Sequence, residues 1–359
     1  MISISLCMIV KNEEDVIGRC LSSVKDLADE IIIADTGSTD RTKEIIREYT
    51  DKIYDFPWRQ DFAAARNFAF SKASMDYQMW LDADDVLTEE NREKFRELKE
   101  TLDPSTDIVM MKYHTAYDNH GNPSMTYYRE RLMRRDKNFL WVGRVHEVIP
   151  PSGTILYSEA AVSHKKLHPS DPDRNLKIYE SMLAQGQDLD PRHRFYYARE
   201  LRDHQRYQEA AAQFETFLDD GLGWEENNIS ACQDLADCYE KMGESGRVLP
   251  ALTRSFAYDI PRAEVCCAIG LFFMKQSRYL QAVYWYEQAT KLKPDARKGG
   301  FIRPECSDFI PYIQLCVCYD KLGDFEQALA CHRKAQALKP ENPSVLHNEA
   351  YFASRTKPS

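Results

Sequence analysis

At residues 79–85 the sequence reads Met79-Trp80-Leu81-Asp82-Ala83-Asp84-Asp85, an apolar run that passes directly into three carboxylates. A switch of this kind is typical of a buried strand whose last side chains reach a cleft. Neighbouring negative charges repel one another, and a cation among them would relieve that repulsion. Mg²⁺ suits the position because it takes oxygen ligands and is often shared between carboxylates and a phosphate. The alternative is a strand that runs into an acidic turn and a helix start capped by Asp85 or Thr88.

The residues on either side of this stretch alternate between apolar runs and segments with helical spacing. The apolar runs predict strands at residues 2–10, 30–34, 52–56 and 77–81, and helical spacing predicts helices within 13–24 and 41–49 and from 61 onward. A strand–helix order of this kind predicts an α/β fold, with a mostly parallel sheet and helices on both faces.

Polar clusters follow three of the predicted strands. They are Lys11-Asn12-Glu13, Asp35-Thr36-Gly37-Ser38 and Asp82-Ala83-Asp84-Asp85. Ligands of such sheets bind beyond the carboxyl ends of the strands, so we expect the three clusters to form one site. The first turn has no Gly-x-Gly-x-x-Gly motif, which argues against a dinucleotide-binding protein.

Taken in order, the motifs of the first half resemble those of the family 2 glycosyltransferases with the GT-A fold. The motifs are Val10-Lys11-Asn12-Glu13, residues 33–40, Ala65-Arg66-Asn67 and Leu81-Asp82-Ala83-Asp84-Asp85, and the resemblance covers residues 3–170. It implies a Rossmann-like GT-A domain that transfers a sugar, with inversion, from a UDP-sugar of the glucose or N-acetylglucosamine type. It also implies a divalent cation, Mg²⁺ or Mn²⁺, as the cofactor.

For the donor, the resemblance assigns residues to each part of the nucleotide. Asp35 would hydrogen-bond the uracil or the ribose, with Val10 and Glu13 beside the same nucleoside pocket. Arg66 would lie against the base or the diphosphate. Beyond the resemblance, the basic residues Arg174 and Lys165 of later segments are candidates to close over the diphosphate.

For the metal, Asp82 and Asp84 match the Asp-x-Asp motif of the family. Asp84 would contact the ion directly, and Asp82 would lie closer to the ribose. Asp85 would either join the metal or cap the following helix. His164 would complete the coordination of the metal, and a solvated basic loop is the alternative at that position.

A further cluster of chemically useful side chains is Gly143-Arg144-Val145-His146-Glu147. Sugar transfer needs a group that takes the acceptor proton as the anomeric carbon is attacked. By resemblance to bacterial family members that carry helical repeats, Glu147 would be this base, and His146 would contact the diphosphate or the acceptor. The alternative is a surface ion pair between Glu147 and Arg144 or Arg135.

From residue 191 onward the pattern changes to helical periodicity with a repeat of about 34 residues. Residues 263–296 and 309–342 match the spacing of tetratricopeptide repeats, 229–262 is a looser copy, and 191–219 is a divergent first unit. The resemblance to the tetratricopeptide family covers residues 191–345. It implies an all-α solenoid that holds a polypeptide acceptor or forms a homodimer, with packing alone as the alternative.

The predicted organisation follows from these two resemblances. It comprises a nucleotide-sugar transferase domain at 1–170, a linker helix at 171–190, tetratricopeptide-like repeats at 191–345 and a C-terminal tail at 346–359. An insertion at 297–304 separates the last two repeats and is expected to be a loop.

Composition excludes several classes of function. The formal net charge of -10 argues against a general nucleic-acid binder, which needs a basic surface. No apolar run approaches the roughly 18 residues of a membrane span, and residues 1–10 lack the features of a secretion signal. The 10 cysteines include no Cys-x-x-Cys pair, so we expect small buried hydrophobes rather than disulfides or zinc ligands, in a cytoplasmic protein.

The combination of the two halves resembles the sublancin-type peptide glycosyltransferases of bacteria. It predicts an enzyme that moves a sugar from a UDP-sugar to a peptide or protein acceptor. Two alternatives stay open. One is a glycosyltransferase acting on a cell-surface saccharide or a lipid-linked acceptor, and the other is a non-catalytic repeat scaffold that senses a nucleotide sugar.

Overall fold

The computed structural model describes residues 1–117, 121, 123–168, 171–293 and 303–355. The chain divides into two compact units, Met1–Asp188 and Leu189–Ser359. Most of the predicted insertion, residues 297–302, lies outside the described residues.

The first unit is built on an eight-stranded sheet with the order β3-β2-β1-β4-β7-β6-β8-β5. The strands are β1 (Ile4–Val10), β2 (Glu30–Asp35), β3 (Ile53–Asp55), β4 (Tyr77–Trp80), β5 (Asp85–Val86), β6 (Ile108–Tyr117), β7 (Pro123–Arg134) and β8 (Ile155–His164). β3, β2, β1 and β4 run parallel, whereas β7 pairs antiparallel with β4 and β6, and β5 pairs antiparallel with β8. The predicted α/β sheet is confirmed, with a parallel half and a mixed half.

Helices cover both faces of this sheet. They are α1 (Ile17–Val24), α2 (Thr42–Ile46), α3 (Phe62–Phe70) and α4 (Glu89–Thr101). The first unit also contains α5 (Arg174–Ala184). Side chains alternate between the faces of a strand, so Leu6 and Met8 of β1 join one core with residues of α1 and α4. Cys7 belongs to the second core, with Ala63 of α3 and Trp141. Burial on both faces explains why these strands read as continuous apolar runs.

Hydrogen bonds join the loops that follow β1 and β2. The backbone N–H of Asn12 donates to Ser38 Oγ at 3.0 Å, and the N–H of Thr39 donates to Asn12 Oδ1 at 2.8 Å. The N–H of Glu13 donates to Thr42 Oγ1 at 2.7 Å. These bonds hold the polar segments after the two strands together at one edge of the sheet.

The second unit consists of helices in the described ranges. They are α6 (Pro191–Asp203), α7 (Tyr207–Asp220), α8 (Glu225–Lys241), α9 (Ser245–Arg254), α10 (Ala263–Lys275), α11 (Tyr279–Ala289), α12 (Phe309–Lys321), α13 (Phe325–Leu338) and α14 (Pro343–Arg355). Helices adjacent in sequence pack against each other, as in α10 with α11 and α12 with α13. The predicted all-α repeat architecture is confirmed.

Small residues bring the helices of a repeat together. A Cβ added to Gly270 of α10 would lie 2.9 Å from the ring of Tyr286 on α11, closer than side chains normally approach. All 10 cysteines of the chain are free and buried, as expected for small hydrophobes. Among the described helices, none has the length and apolar character that crossing a membrane requires.

Candidate active site

A cleft of about 480 Å³ opens in the first unit beyond the ends of β1 and β4. Its walls contain nine of the residues given roles in the sequence analysis: Val10, Glu13, Arg66, Asp82, Asp84, His146, Glu147, His164 and Arg174. Asp35 does not line the cleft, although its neighbour Thr36 does. The Asp35 side chain is buried, with Oδ1 accepting from the backbone of Gly37 and Ser38, each at 2.9 Å.

The late residue His164 reaches the acidic motif through strand pairing. β5 and β8 pair antiparallel, with Asp85 opposite His164. His164 Nδ1 therefore lies 3.3 Å from an oxygen of Asp84 and 3.3 Å from an oxygen of Asp85. Potential ligand atoms of the three residues all lie within 4.8 Å of one another. Carboxylate oxygens such as those of this cluster are ligands that suit a divalent cation.

The charges in this corner also favour a cation. Burial raises the pKa of the Asp84 carboxyl, and the negative charges of Asp82 and Asp85 add to that rise, although His164 opposes it. Burial alone would lower the pKa of His164, but the hydrogen bond to Asp85 and the nearby carboxylates outweigh it and raise the pKa. The neighbouring carboxylates contribute to both shifts, and a bound cation would offset their negative charge.

Asp85 has a different position from the other two carboxylates. It is fully buried, and its Oδ2 lies 3.2 Å from Arg131 Nη1. Of the two expected caps, Thr88 occupies the N-cap position of α4, although its side chain makes no capping hydrogen bond. The expectation that Asp85 caps this helix is wrong. Asp85 instead belongs to the short strand β5.

Arg66 of α3 joins the acidic motif to the candidate base. Its Nε donates to Glu147 Oε1 at 2.6 Å, and its Nη2 donates to Asp82 Oδ1 at 2.7 Å. The guanidinium lies 4.9 Å from the ring centroid of Trp80 and 4.8 Å from that of Trp141. The ion-pair partner of Glu147 is therefore Arg66, and the alternative of a surface pair with Arg144 or Arg135 is wrong.

Arg66 also sets the charge state of Asp82. Burial alone would raise the pKa of the Asp82 carboxyl, but the charge and hydrogen bond of Arg66 outweigh it and lower the pKa. Arg66 Nη1 is buried and has no hydrogen-bond partner among the described residues. One donor of this arginine thus remains for a ligand with acceptor oxygens.

The pKa of Glu13 shifts in the opposite direction from the pKa of Asp82. Burial, followed by the charges of Asp84 and Asp82, raises the pKa of Glu13 to about 7. Near neutral pH this carboxyl can therefore be protonated and donate a hydrogen bond to a ligand.

The loop that carries His146 and Glu147 has unusual backbone conformations. Gly143 has φ of 99° and His146 has φ of 51°. A non-glycine residue in the left-handed region is uncommon and costs energy, so such residues often mark functional sites. The conformation accompanies the placement of both His146 and Glu147 in the wall of the cleft.

Several cleft residues had no sequence signal. Arg129 of β7 lies 4.9 Å from the Trp80 ring centroid and forms a salt bridge of 3.1 Å with Glu130. Its strand is placed beside β4 only by long-range pairing, which the sequence does not indicate. Trp58 and Phe62 also line the cleft, with ring centroids 4.7 Å apart. An aromatic residue soon after a predicted strand end was the one signal that could have identified Trp58.

Comparison with known families agrees with both halves of this architecture. A model described as glycosyl transferase family 2 matches residues 5–158, and a tetratricopeptide repeat model matches residues 263–296 and 312–342. The first unit thus carries a family 2 glycosyltransferase domain and the second carries tetratricopeptide repeats, which confirms the resemblance seen in the sequence.

Curated relatives match parts of the chain. A TPR repeat-containing protein of Synechococcus elongatus is 47% identical over 29% of this chain and 25% of its own length. The SPbeta prophage-derived glycosyltransferase SunS of Bacillus subtilis is 31% identical over 55% of this chain and 49% of its own length. The lipopolysaccharide core biosynthesis glycosyltransferase LpsC of Rhizobium meliloti is 31% identical over 42% and 58%, respectively. The chain spans from a quarter to somewhat over half of the length of these relatives.

Proposed function

We propose that this chain, whose first unit carries a family 2 glycosyltransferase domain, is a metal-dependent inverting glycosyltransferase that uses a UDP-sugar. The observation that supports the proposal is that one cleft is lined both by Asp84 with His164 and by the ion pair of Arg66 with Glu147. Direct displacement at the anomeric carbon requires a cation for the leaving group and a base for the acceptor, and this cleft has candidate residues for both.

Asp84 and His164 would hold Mg²⁺ or Mn²⁺. The cation, when bound, would neutralise the charge that develops on the diphosphate leaving group. Arg66 would add its free Nη1 donor to the diphosphate, and Arg174, which lines the cleft and lies 4.8 Å from the Phe62 ring, would cover it.

The nucleoside would occupy the part of the cleft beside the ends of β1 and β2. Val10 and Glu13 line that part, and Asp35 lies behind Thr36 with its Oδ2 buried and without a hydrogen-bond partner among the described residues. An unsatisfied buried oxygen suits the N–H of uracil or a ribose hydroxyl, which would supply the missing donor. Asp82 would lie closer to the ribose than to the metal.

Glu147 would act as the base. Arg66 orients its carboxylate through the 2.6 Å hydrogen bond, and a carboxylate held in this way can accept the acceptor proton. His146 would contact the diphosphate or the acceptor from the same loop. One base and no nucleophile on the protein suffice for a single displacement, which inverts the anomeric centre.

For the acceptor, we propose a peptide or protein held by the tetratricopeptide repeats, which also remain candidates for forming a homodimer. The likeness to SunS over 55% of this chain supports an enzyme of that type. A saccharide or lipid-linked acceptor is the second candidate, and the likeness to LpsC favours it. The presence of both Asp84 and Glu147 in the cleft makes a non-catalytic scaffold the weakest of the three.

Calorimetric titration with UDP, with and without Mn²⁺, tests the donor site. The wild type should bind UDP more tightly with Mn²⁺, and Asp84→Ala should lose that gain. Asp51→Ala, which removes an exposed carboxylate elsewhere in the first unit, serves as the matched control and should behave as the wild type. Wild-type protein that binds no UDP in either condition would contradict the proposal.

The acceptor is tested next, with the UDP-sugars that the wild type hydrolyses. Transfer of the sugar to peptides that bind this protein would support a peptide or protein acceptor. Transfer only to oligosaccharides or lipid-linked sugars would support a saccharide or lipid-linked acceptor. Glu147→Gln serves as the inactive control in both assays.

A further inference from the structure

We infer that Asp85 is a positioning residue rather than a metal ligand, and that with Tyr113 and Arg131 it fixes the turn of the acidic motif and the ring of His164. The inference rests on the proposed function, because it concerns the same metal corner. It deepens that proposal by separating the three neighbouring carboxylates into residues that face the cleft and one that supports them.

The charge of Asp85 is already compensated inside the protein. The side chains of Asp85 and Arg131 are both 0% exposed, and Arg131 Nη1 lies 3.2 Å from Asp85 Oδ2. The guanidinium of Arg131 lies 3.7 Å from the ring centroid of Trp80 and 4.4 Å from that of Tyr113. A buried carboxylate with a buried partner of this kind needs no cation from solvent.

Asp85 closes the turn of the acidic motif from both ends. Its Oδ2 accepts from the backbone N–H of Asp82 at 3.1 Å, and its own N–H donates to the carbonyl of Asp82 at 3.0 Å. The carbonyl of Asp84 accepts from the N–H of Lys165 at 2.9 Å. These bonds fix the backbone from which the side chains of Asp82 and Asp84 project into the cleft.

Through Tyr113, Oδ1 of Asp85 sets which ring nitrogen of His164 carries the hydrogen. The Tyr113 hydroxyl donates to Asp85 Oδ1 at 2.8 Å and lies 3.0 Å from His164 Nδ1. Because the single hydroxyl proton is given to Asp85, the hydroxyl oxygen is an acceptor towards the ring, and Nδ1 carries the hydrogen. Nε2 is then the ring nitrogen with a free lone pair, which is the form that binds a metal.

The hydrogen-bonding capacity of Asp85 is fully used. A carboxylate offers about four lone-pair sites. Those of Asp85 face Arg131, the N–H of Asp82, the Tyr113 hydroxyl and His164 Nδ1. Asp84, by contrast, lines the cleft with a side chain that is 21% exposed. The geometry therefore assigns the direct contact to Asp84 and the support to Asp85.

Tyr113→Phe tests this assignment, because it removes one hydroxyl that is not itself a proposed ligand. Mn²⁺ affinity is measured by calorimetry without nucleotide, and the melting temperature is measured without metal to confirm folding. Loss of a group that orients a metal ligand typically weakens binding by about 10- to 100-fold. We expect a loss in that range for Tyr113→Phe and none for the control Tyr54→Phe, which removes the hydroxyl of a β3 residue.

A double-mutant cycle with His164→Ala separates positioning from general loss of structure. If the tyrosine acts through the histidine, Tyr113→Phe should weaken Mn²⁺ binding much less in the His164→Ala background than in the wild type. Equal losses in both backgrounds, or wild-type Mn²⁺ affinity in Tyr113→Phe, would overturn the inference while leaving the metal site in place. A wild-type protein that binds no Mn²⁺ would overturn the inference together with the metal part of the proposed function.

Discussion

The cleft and the repeats differ in how deeply they bury charged side chains. In the cleft, Arg66 is buried against two tryptophan rings and pairs with two carboxylates. In the repeats, apolar rings fill the interior, as where Tyr286 packs against Gly270. Burying charge costs desolvation energy that apolar packing avoids, so buried ion pairs are weak contributors to stability. The repeats also contain ion pairs, but Arg202 and Asp234 are 18% and 17% exposed, whereas Arg66 and Glu147 are 8% and 11% exposed. We therefore infer that the first unit keeps its more deeply buried pair for the cleft.

The largest expected effect is at Glu147, the candidate base of the cleft. Glu147→Gln keeps the shape of the side chain but removes its ability to take a proton. General base catalysis typically contributes about 10²- to 10⁴-fold, so we expect kcat for sugar transfer to fall by that factor while UDP affinity stays near the wild-type value. Steady-state kinetics and calorimetry measure the two quantities. A variant with wild-type kcat would assign the base to another residue.

Arg66→Met tests whether the buried charges depend on each other. Removing one partner of a buried ion pair typically costs about 3–5 kcal/mol, because the remaining charges stay buried without compensation. We expect a loss of that size in the free energy of unfolding, measured by urea denaturation with the fluorescence of the adjacent Trp80 and Trp141.

The matched control for Arg66→Met is Arg41→Met. Arg41 pairs with Glu44 on the surface, where both side chains are more than half exposed. Surface pairs of this kind contribute little, so no measurable change is expected. Equal effects of the two substitutions would remove the distinction between buried and surface charge on which the comparison rests.

Gly270→Ala tests the packing of the repeats. The added Cβ would approach the Tyr286 ring at 2.9 Å, and overpacking of this kind costs about 1–3 kcal/mol. Gly246→Ala is the matched control, because its Cβ would meet nothing within 4 Å. In a helix this control should instead stabilise by roughly 0.5–1 kcal/mol. Urea denaturation measures both changes, and UDP affinity should be unchanged in either variant. Destabilisation by both alanines would point to helix geometry rather than to packing.

The same contrast explains how much could be predicted from the sequence. The repeats are made from contacts between helices adjacent in the chain, so their period is visible in the residues themselves. The parallel strands were also predictable, because each apolar run stops at a polar cluster. The resemblance to a known family added the proposed roles of Asp84 and Glu147, which apolar patterning alone does not indicate.

The rest of the cleft depends on long-range pairing. His164 meets Asp85 only because β8 pairs with β5, 79 residues earlier in the chain. Arg129 and Arg131 reach the cleft region because β7 lies beside β4. In the sequence they are alternate residues of an ordinary strand, and nothing marks one as lining the cleft and the other as fully buried.

The smallest expected effect concerns the pH dependence of stability at Glu13. Its pKa is raised from 4.5 to about 7 in the folded protein, mainly by burial and then by Asp84 and Asp82. Between these two values the folded state binds more protons than the unfolded state, so stability should fall as the pH rises from about 4.5 through 7. Glu13→Gln cannot ionise and should show a shallower fall, with a higher melting temperature than the wild type at pH 8.

The scans are made in EDTA, because a bound cation would offset the carboxylates that raise the pKa. Glu97→Gln, an exposed residue of α4, is the control and should retain the wild-type profile. A Glu13→Gln profile that parallels the wild type would mean that Glu13 is ionised throughout this range, and that the acidic corner is less crowded than its geometry indicates.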